Sequence, residues 1–374
     1  MKWRLITDDK VSDIFGLAAD DALTQRVGAG ASQATLRLYT YRSHCALVGR
    51  FQTVEHEIHV DYCHANSVPI NRRPTGGGAI IMGDGQLGVG LMIAGRNSDT
   101  YSRAREMMSQ FSAGLLHGLN SLGISAEFRR KNDIEVDGRK IIGLGIYRAP
   151  SGGLLFHASL LVNLDVPFML RVLNTPFEKI SDKEISMVSA RTTDVQRELG
   201  RPIPMDEVRQ RMAEGYAEAF DVSMIPGDFT SEERQDIAEL EREKYQKSEW
   251  VNQEIEVPDV FGAAKIKTSA GLLDVRATMA GRIIKAVFIG GDFFASEKAV
   301  ADIEATLRWH SSEAPAVAAT LEKVYSRRRH ELNGIPCEAL TRAIQRAVKQ
   351  GAIAEIKARS DPYGCFVTPE SSHG

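Results

Sequence analysis

The sequence predicts an α+β protein in two modules, with predominantly antiparallel, mixed sheets flanked by helices. Three observations predict it. Strand-like segments follow one another through residues 124–162, and Asp137-Gly138 between two of them is a tight-turn dipeptide. Helical periodicity is confined to separate stretches, of which residues 10–27 and 100–122 are the clearest. Composition shifts after Trp250, where short strands and then helices begin afresh, as expected of a second module. The expected division is 1–250, then 255–360, then a loose tail over 361–374.

The elements follow in order. Residues 3–6 suit a short strand. Val11, Ile14, Phe15, Ala18, Ala22 and Leu23 fall at helical spacing, and Gly28 and Gly30 stop that helix. Residues 36–41 and 45–48 read as strands meeting at Gly49-Arg50-Phe51-Gln52. In residues 56–64, one helix would bring His56, His59 and Cys63 to a single face. That is either a metal-ligand set or histidines on an exposed face.

Residues 79–82 and 87–93 read as a hairpin. The intervening Gly83-Asp84-Gly85-Gln86-Leu87-Gly88 satisfies G-x-G-x-x-G, but a strand rather than a helix follows it, so the dinucleotide reading fails. Strands are expected at 124–128, 133–136, 140–146 and 154–162. A helix near 166–173, a polar loop over 178–193 and helices over 204–220 and 231–244 complete the first module. The second has strands at 254–257, 263–268, 272–278 and 283–289, then helices over 297–309, 317–328 and 336–349.

Composition excludes several classes. The 374 residues carry a net charge of -3, which gives no support to nucleic acid or an anionic membrane as partner. Cys45, Cys63, Cys337 and Cys365 include no C-x-x-C pair, so neither a disulfide framework nor a zinc knuckle is suggested. The N-terminus turns acidic at Asp8-Asp9 before an apolar signal core could form, and no window approaches a membrane span. The expectation is a cytoplasmic protein.

The chemistry centres on Arg72-Arg73-Pro74-Thr75-Gly76-Gly77-Gly78. Three residues without Cβ let a ligand press against main-chain amides, and two guanidinium groups beside them suit a phosphate or carboxylate. A glycine-rich hairpin turn with incidental arginines would look the same. Further on come Lys131-Asn132-Asp133, Gly138-Arg139-Lys140-Ile141-Ile142-Gly143 and Phe156-His157-Ala158-Ser159. Lys140 is either a fixed ammonium or a surface turn lysine, and Asn132-Asp133 either a functional or a turn-forming pair. The alternation Ile142, Leu144, Ile146 gives an apolar face that could be core, ligand wall or both.

These signals, in this order with Gly49-Arg50-Phe51-Gln52 ahead of them, resemble the lipoate-protein ligases, in the superfamily that also holds biotin ligases and octanoyltransferases. The resemblance extends to Lys179-Ile180-Ser181-Asp182-Lys183 with Ser186, Ser189 and Arg191, and to Lys244-Tyr245…Glu249-Trp250. Residues beyond about 255 resemble the ligases' small accessory domain. The resemblance implies a biotin/lipoyl ligase-like catalytic domain that uses ATP and Mg2+ to convert lipoate into lipoyl-AMP. The lipoyl group then passes to a lysine of a lipoyl carrier protein. It makes Lys140 the essential lysine. It places Arg72, Arg73, Gly76, Gly77, Gly78, Asn132, Asp133, Gly143, His157 and Lys183 around lipoyl-AMP or ATP, with Asp133 toward the Mg2+.

Activation joins two anions, so the site needs fixed positive charge and backbone amides. Two departures from the ligase pattern, Met82-Gly83-Asp84 for His-Asp and His157-Ala158-Ser159 for paired histidines or His-Gly, bear on acyl or carrier preference. Octanoyltransferases work through a cysteine, and neither window where one is placed, 172–176 or 128–131, contains it. The biotin ligases' arginine-glycine loop is absent. A non-catalytic lipoyl- or nucleotide-binding sensor on the same scaffold is the reading from another class, against which Lys140, Asn132 and Asp133 argue.

Overall fold

A computed structural model describes residues 1–95, 100–101, 103–129, 132–174, 182–253 and 261–360, the side chains of 182–184 and 358–360 excepted. The chain divides into two compact units, Met1–Glu254 and Ile255–Gly374.

Among its described residues the first unit has eleven strands: β1 (Lys2–Val11), β2 (Thr35–Tyr41), β3 (Cys45–Val48), β4 (Ile70–Arg72), β5 (Ile80–Met82), β6 (Gln86–Ala94), β7 (Glu127–Phe128), β8 (Asp133–Val136), β9 (Arg139–Arg148), β10 (Gly153–Leu161) and β11 (Ser223–Pro226). Eight form one sheet in the order β11-β1-β2-β6-β10-β9-β8-β7, and β4-β3-β5 form a smaller one. From β2 to β7 the large sheet is antiparallel, whereas β1 runs parallel to both β2 and β11. The α+β class is as the sequence predicts.

Alternation along the strands gives the large sheet two different faces. One carries Leu36, Leu91, Phe156 and Ile146 in a row of direct cross-strand partners. Helices cover it: Phe156 meets Phe111 of Ala104–Phe111, and Phe111 stacks on Phe220 of Met205–Phe220. The helix Ala113–Ser121 packs on Met205–Phe220 through Gly114, Gly118 and Gly215, where an added Cβ would strike Tyr216, Met212 and backbone. The other face lies under α1 (Asp13–Gly28), whose N-cap Ser12 accepts the Phe15 amide. Thr24 and Gly28 of α1 touch Gly153.

The second unit has a four-stranded antiparallel sheet, β12 (Gly262–Lys267), β13 (Leu272–Ala280), β14 (Ile283–Gly291) and β15 (His310–Ser311), with helices Glu297–Leu307, Ala314–Arg328 and Cys337–Ser360. Leu273, Val275, Ala277, Ile284, Val317, Ala343 and Ile344 are its buried core. Among the described residues no helix is long and apolar enough to cross a membrane.

Several expectations are corrected. Residues 79–82 and 87–93 form no hairpin: β5 pairs with β3 in the small sheet, and β6 sits between β2 and β10 in the large one. The chain changes sheets at Gly83-Asp84-Gly85, where the Gly85 carbonyl accepts the amides of Val162 and Asn163. The helical pattern over 100–122 breaks at Ser112 into Ala104–Phe111 and Ala113–Ser121. The single helix over 56–64 is two short ones, Val54–Glu57 and Val60–Ala65, with His59 as the N-cap between them and Cys63 buried. His56, His59 and Cys63 therefore share no helical face, and no metal-holding group of His, Cys, Asp and Glu occurs among the described residues. Within the polar loop expected over 178–193, Asp182–Ser189 is helical. The strand expected at 254–257 and the tail 361–374 lie outside the described residues.

Candidate active site

The glycine-rich loop runs from β4 to β5, and the small sheet fixes its two ends on either side of β3. It is therefore a loop between strands that do not pair, rather than a hairpin turn. Gly77 holds φ +94°, a backbone region that favours glycine. Gly49, after β3, approaches it so closely that a Cβ there would lie 2.0 Å from the Gly77 carbonyl. The Arg50 amide donates to the Thr75 carbonyl at 2.9 Å. Among the described residues, the amides of Gly76, Gly77 and Gly78 donate to no backbone carbonyl.

Arg73 organises this loop from beneath. Its guanidinium donates to the carbonyls of Leu47 at 2.6 Å and Gly78 at 2.8 Å, with longer contacts to Gly76 and Thr75. Burial lowers its pKa to about 10, which still leaves it charged at neutral pH.

The loop roofs a cavity of about 100 Å³ whose floor is the α1-facing side of the large sheet. Two rows of direct cross-strand partners run across that side of the sheet, Tyr39, Gly88, Ser159, Gly143 and Asp133, and then Arg37, Gly90, His157 and Gly145, and of these Tyr39, Ser159, Gly143 and His157 line the cavity. Glycines alternate with side chains, and Tyr39, Ser159 and His157 each lean over a neighbouring glycine's missing Cβ. A Cβ at Gly88 would lie 2.6 Å from the Tyr39 ring, and one at Gly145 2.4 Å from His157 Nε2. One at Gly143 would meet Lys140 Nζ at 3.1 Å and Ser159 Oγ at 3.3 Å. Glycine inside a strand costs roughly 0.5–1 kcal/mol relative to alanine, so a bare face of this kind calls for a ligand or a close approach to explain it.

Lys140 reaches the floor through a β-bulge. Glu135 pairs with Lys140 and Ile134 with Ile142, so Ile141 is an extra residue in β9. The bulge turns Lys140 onto the face of Asp133, where its ammonium lies 2.6 Å from the carboxylate. The strand is anchored there by the Lys140 amide on the Arg191 carbonyl and the Thr193 amide on the Lys140 carbonyl, both 2.9 Å. Asn132 at the cavity edge donates through Nδ2 to the Leu144 carbonyl at 2.9 Å.

His157 Nε2 is 3.1 Å from Thr75 Oγ1, which ties the sheet floor to the glycine loop. Burial and the nearby Arg73 charge push its pKa down to about 3, so the imidazole is neutral at physiological pH.

The structure thus brings Arg73, Gly76, Gly77, Gly78, Asn132, Lys140, Gly143 and His157 to one cavity, with Asp133 on Lys140. Two expected site residues stand apart. Arg72 does not line the cavity: its guanidinium is buried and given over to five main-chain carbonyls. The anion-facing role expected of it is corrected accordingly. Lys183 falls in the helix Asp182–Ser189, but its side chain lies outside the described residues. Of the apolar triad, Ile142 and Ile146 are buried away from the cavity and Leu144 lines it.

Sequence reasoning missed Leu17, Tyr39, Tyr41, Leu47 and Met82, which give the cavity an apolar wall. Tyr39 is held there by its hydroxyl on Asp20 at 2.9 Å, and Arg37 braces Asp20 from the other side at 2.8 Å. The available signal was the repeat Gly88-x-Gly90 and Gly143-x-Gly145, two strands bared at period two.

Comparison with known proteins agrees with this geometry. The lipoyl protein ligase A/B catalytic domain family matches residues 14–217. Octanoyltransferase LipM of Clostridioides difficile (strain 630) is 28% identical over 269 residues, 67% of this chain and 98% of that protein. A bipartite lipoate protein ligase from Thermoplasma acidophilum, described with its E2 lipoyl domain, superimposes with TM-score 0.62 at 27% identity. That match covers 70% of this chain and 100% of the other. A lipoate-protein ligase A bound with ATP superimposes with TM-score 0.60 at 25% identity, covering 68% of this chain and 100% of that one. Since more than half of its length matches the family, this chain belongs to the lipoyl protein ligase A/B catalytic domain family.

Proposed function

We propose that the protein is an ATP-dependent lipoate-protein ligase, which forms lipoyl-AMP and passes the lipoyl group to a lysine of a lipoyl carrier protein. The observation that carries this reading is a cavity with a fixed ammonium, a buried guanidinium and unspent loop amides, and no cysteine among its described lining residues. Cys45 and Cys63 are buried in the core, and burial pushes both thiols up, so neither is an available thiolate there. Cys337 belongs to the second unit, and Cys365 lies outside the described residues.

In this reading lipoate lies along the floor with its chain against Tyr39, Tyr41 and Leu17. The carboxylate and the α-phosphate of ATP meet beneath the Gly76–Gly78 amides. Arg73 and Lys140 oppose the charge that accumulates as the two anions join. Neutral His157 positions Thr75 and excludes a second charge. Asp133, beside Lys140, would offer one hard carboxylate oxygen to a nucleotide-borne Mg2+, which would offset phosphate charge, and such ions are commonly held by one or two carboxylates plus phosphates. The second unit, residues 255–360, would be the small accessory domain that the ligase resemblance implies.

Octanoyl transfer between carriers is the second reading, favoured by the curated relatives named octanoyltransferase. Lipoate-dependent pyrophosphate release from ATP by the purified protein separates the two. Release supports ligation, and its absence with both lipoate and octanoate, carrier present, favours transfer or a sensor.

A further inference from the structure

The first arginine of the Arg-Arg pair turns away from the cavity, and what it holds lies next to the second unit in sequence. Arg72 Nε donates to the carbonyls of Trp250 and Val251, each at 3.0 Å. Its Nη1 donates to those of Gly49, Arg50 and Gln52 at 2.8, 3.2 and 2.7 Å. The exchange is reciprocal, since Trp250 Nε1 donates to the Arg72 carbonyl at 3.0 Å. The Trp250 ring is pinned between cations, with Lys244 Nζ 4.0 Å and Arg50 4.9 Å from its centroid. No carboxylate pairs with Arg72 among the described residues; burial and repulsion from Arg50 and Arg73 bring its pKa down to about 9. A buried cation in this position depends on its carbonyls.

Those carbonyls belong to two segments far apart in sequence, which Arg72 joins by hydrogen bonds beside the direct contact of Arg50 with the Trp250 ring. Trp250 and Val251 are in the short helix Ser248–Val251, directly ahead of the stretch that leads into the second unit. Gly49, Arg50 and Gln52 form the turn on which the glycine loop rests, through the Arg50 amide on Thr75 and the close Gly49–Gly77 approach.

We propose that Arg72 and Trp250 form a latch through which the chain entering the second unit sets the position of the glycine-rich loop, so that the cavity is regulated from the unit boundary. The functional consequence rests on the ligase reading above, whereas the latch itself does not. Drawing Trp250 and Val251 away would strip Arg72 of two acceptors and its carbonyl of a donor. The 49–52 turn and the glycine loop would then loosen together. Arg72 is a positioning residue here.

The test is hydrogen exchange, read by mass spectrometry, on the full chain. Trp250→Phe keeps an aromatic ring but removes the Nε1 donor. Arg72→Lys keeps the charge but cannot span five carbonyls. Losing one hydrogen bond of ordinary net worth in Trp250→Phe should speed exchange at the Arg50 and Arg73 amides about three- to tenfold with melting temperature nearly unchanged, whereas Arg72→Lys, which gives up several buried hydrogen bonds, should speed it more and lower the melting temperature. Unchanged exchange at those amides in Trp250→Phe, while residues 250–252 loosen, would overturn the latch. So would loosening by Arg72→Lys alone, which would reduce Arg72 to a clamp on its own loop. A kinetic arm separates positioning from mere stability: acyl-adenylate formation by Trp250→Phe should fall in kcat with KM for ATP within about twofold. A parent protein that forms no adenylate contradicts the ligase reading, and the exchange data still decide the latch.

Discussion

Lys140 meets Asp133 across 2.6 Å because β9 carries one residue more than β8 needs. In an unbulged strand Lys140 would share the face of Ile142 and Ile146, which are buried away from the cavity. The extra residue, Ile141, turns it onto the side of Asp133 and Gly143, at the cavity. The bulge thus converts an ordinary antiparallel hairpin into a charged site at no cost in ladder pairing on either side of it.

Removing that ammonium should fall on turnover. Lys140→Ala is expected to lower kcat for adenylate formation by roughly two to three orders of magnitude, with a smaller change in nucleotide affinity. Lys140→Arg should not rescue, because a planar fork does not replace a compact ammonium held between two oxygens. Single-turnover pyrophosphate release, with nucleotide binding measured in parallel, checks both.

Cysteine replacement should leave carrier modification within a few-fold of the parent. Cys45 and Cys63 are fully buried, so alanine is the right substitute there, since a buried hydroxyl without a partner costs roughly 1–3 kcal/mol. Cys337 and Cys365 can be replaced by serine. Loss of turnover in a folded quadruple variant, with a thioester trapped on the parent, would favour the transferase.

Gly145→Ala tests the glycine floor. The new methyl would lie 2.4 Å from His157 Nε2, and the imidazole would have to leave Thr75. Strain of about 1–3 kcal/mol is offset in part by the roughly 0.5–1 kcal/mol gained when alanine replaces a strand glycine. The net loss of roughly 0–2.5 kcal/mol should lower the melting temperature by at most about 10 °C, while acyl activation drops in the folded variant. Unchanged activity would mean that the Thr75–His157 contact is dispensable.

The depressed pKa of His157 gives stability a signed pH dependence. The folded protein keeps this imidazole neutral down to about pH 3, whereas the unfolded chain protonates it near the ordinary histidine value of 6.5. Between those values the unfolded state binds the extra proton, so the contribution is full above about pH 6.5 and is lost as pH falls toward 3. The slope from this one group cannot exceed about 1.4 kcal/mol per pH unit. Denaturant melts of the parent and His157→Gln from pH 7 to 4 should converge on acidification. Parallel curves would contradict the assignment.

Much of this was legible in the residues. Asp133–Val136 and the Asp137-Gly138 turn were readable because a positive-φ dipeptide between two β-prone runs leaves few alternatives, and both residues do hold positive φ. The triple glycine, Asn132, Lys140, Gly143 and His157 were readable from their order along the chain, and the fold brings them to one cavity. What stayed hidden depends on distant partners. Nothing local tells that 79–82 and 87–93 join different sheets, since register is set by neighbours far away in sequence. Arg72 reads as an anion ligand until the carbonyls of Trp250 and Val251, almost 180 residues on, are seen to claim it. Tyr39 became a cavity residue only once Gly88 was placed beside it.

The most direct test of the ligase reading is the intact mass of a lipoyl carrier protein after incubation with the full chain, Mg2+ and lipoate, with and without ATP. A parallel incubation supplies an octanoylated carrier as the only acyl source, without ATP. The account predicts a mass gain of one lipoyl group that requires ATP, and no transfer from the octanoylated carrier. Modification that needs no ATP and draws its acyl group from the octanoylated carrier would contradict it.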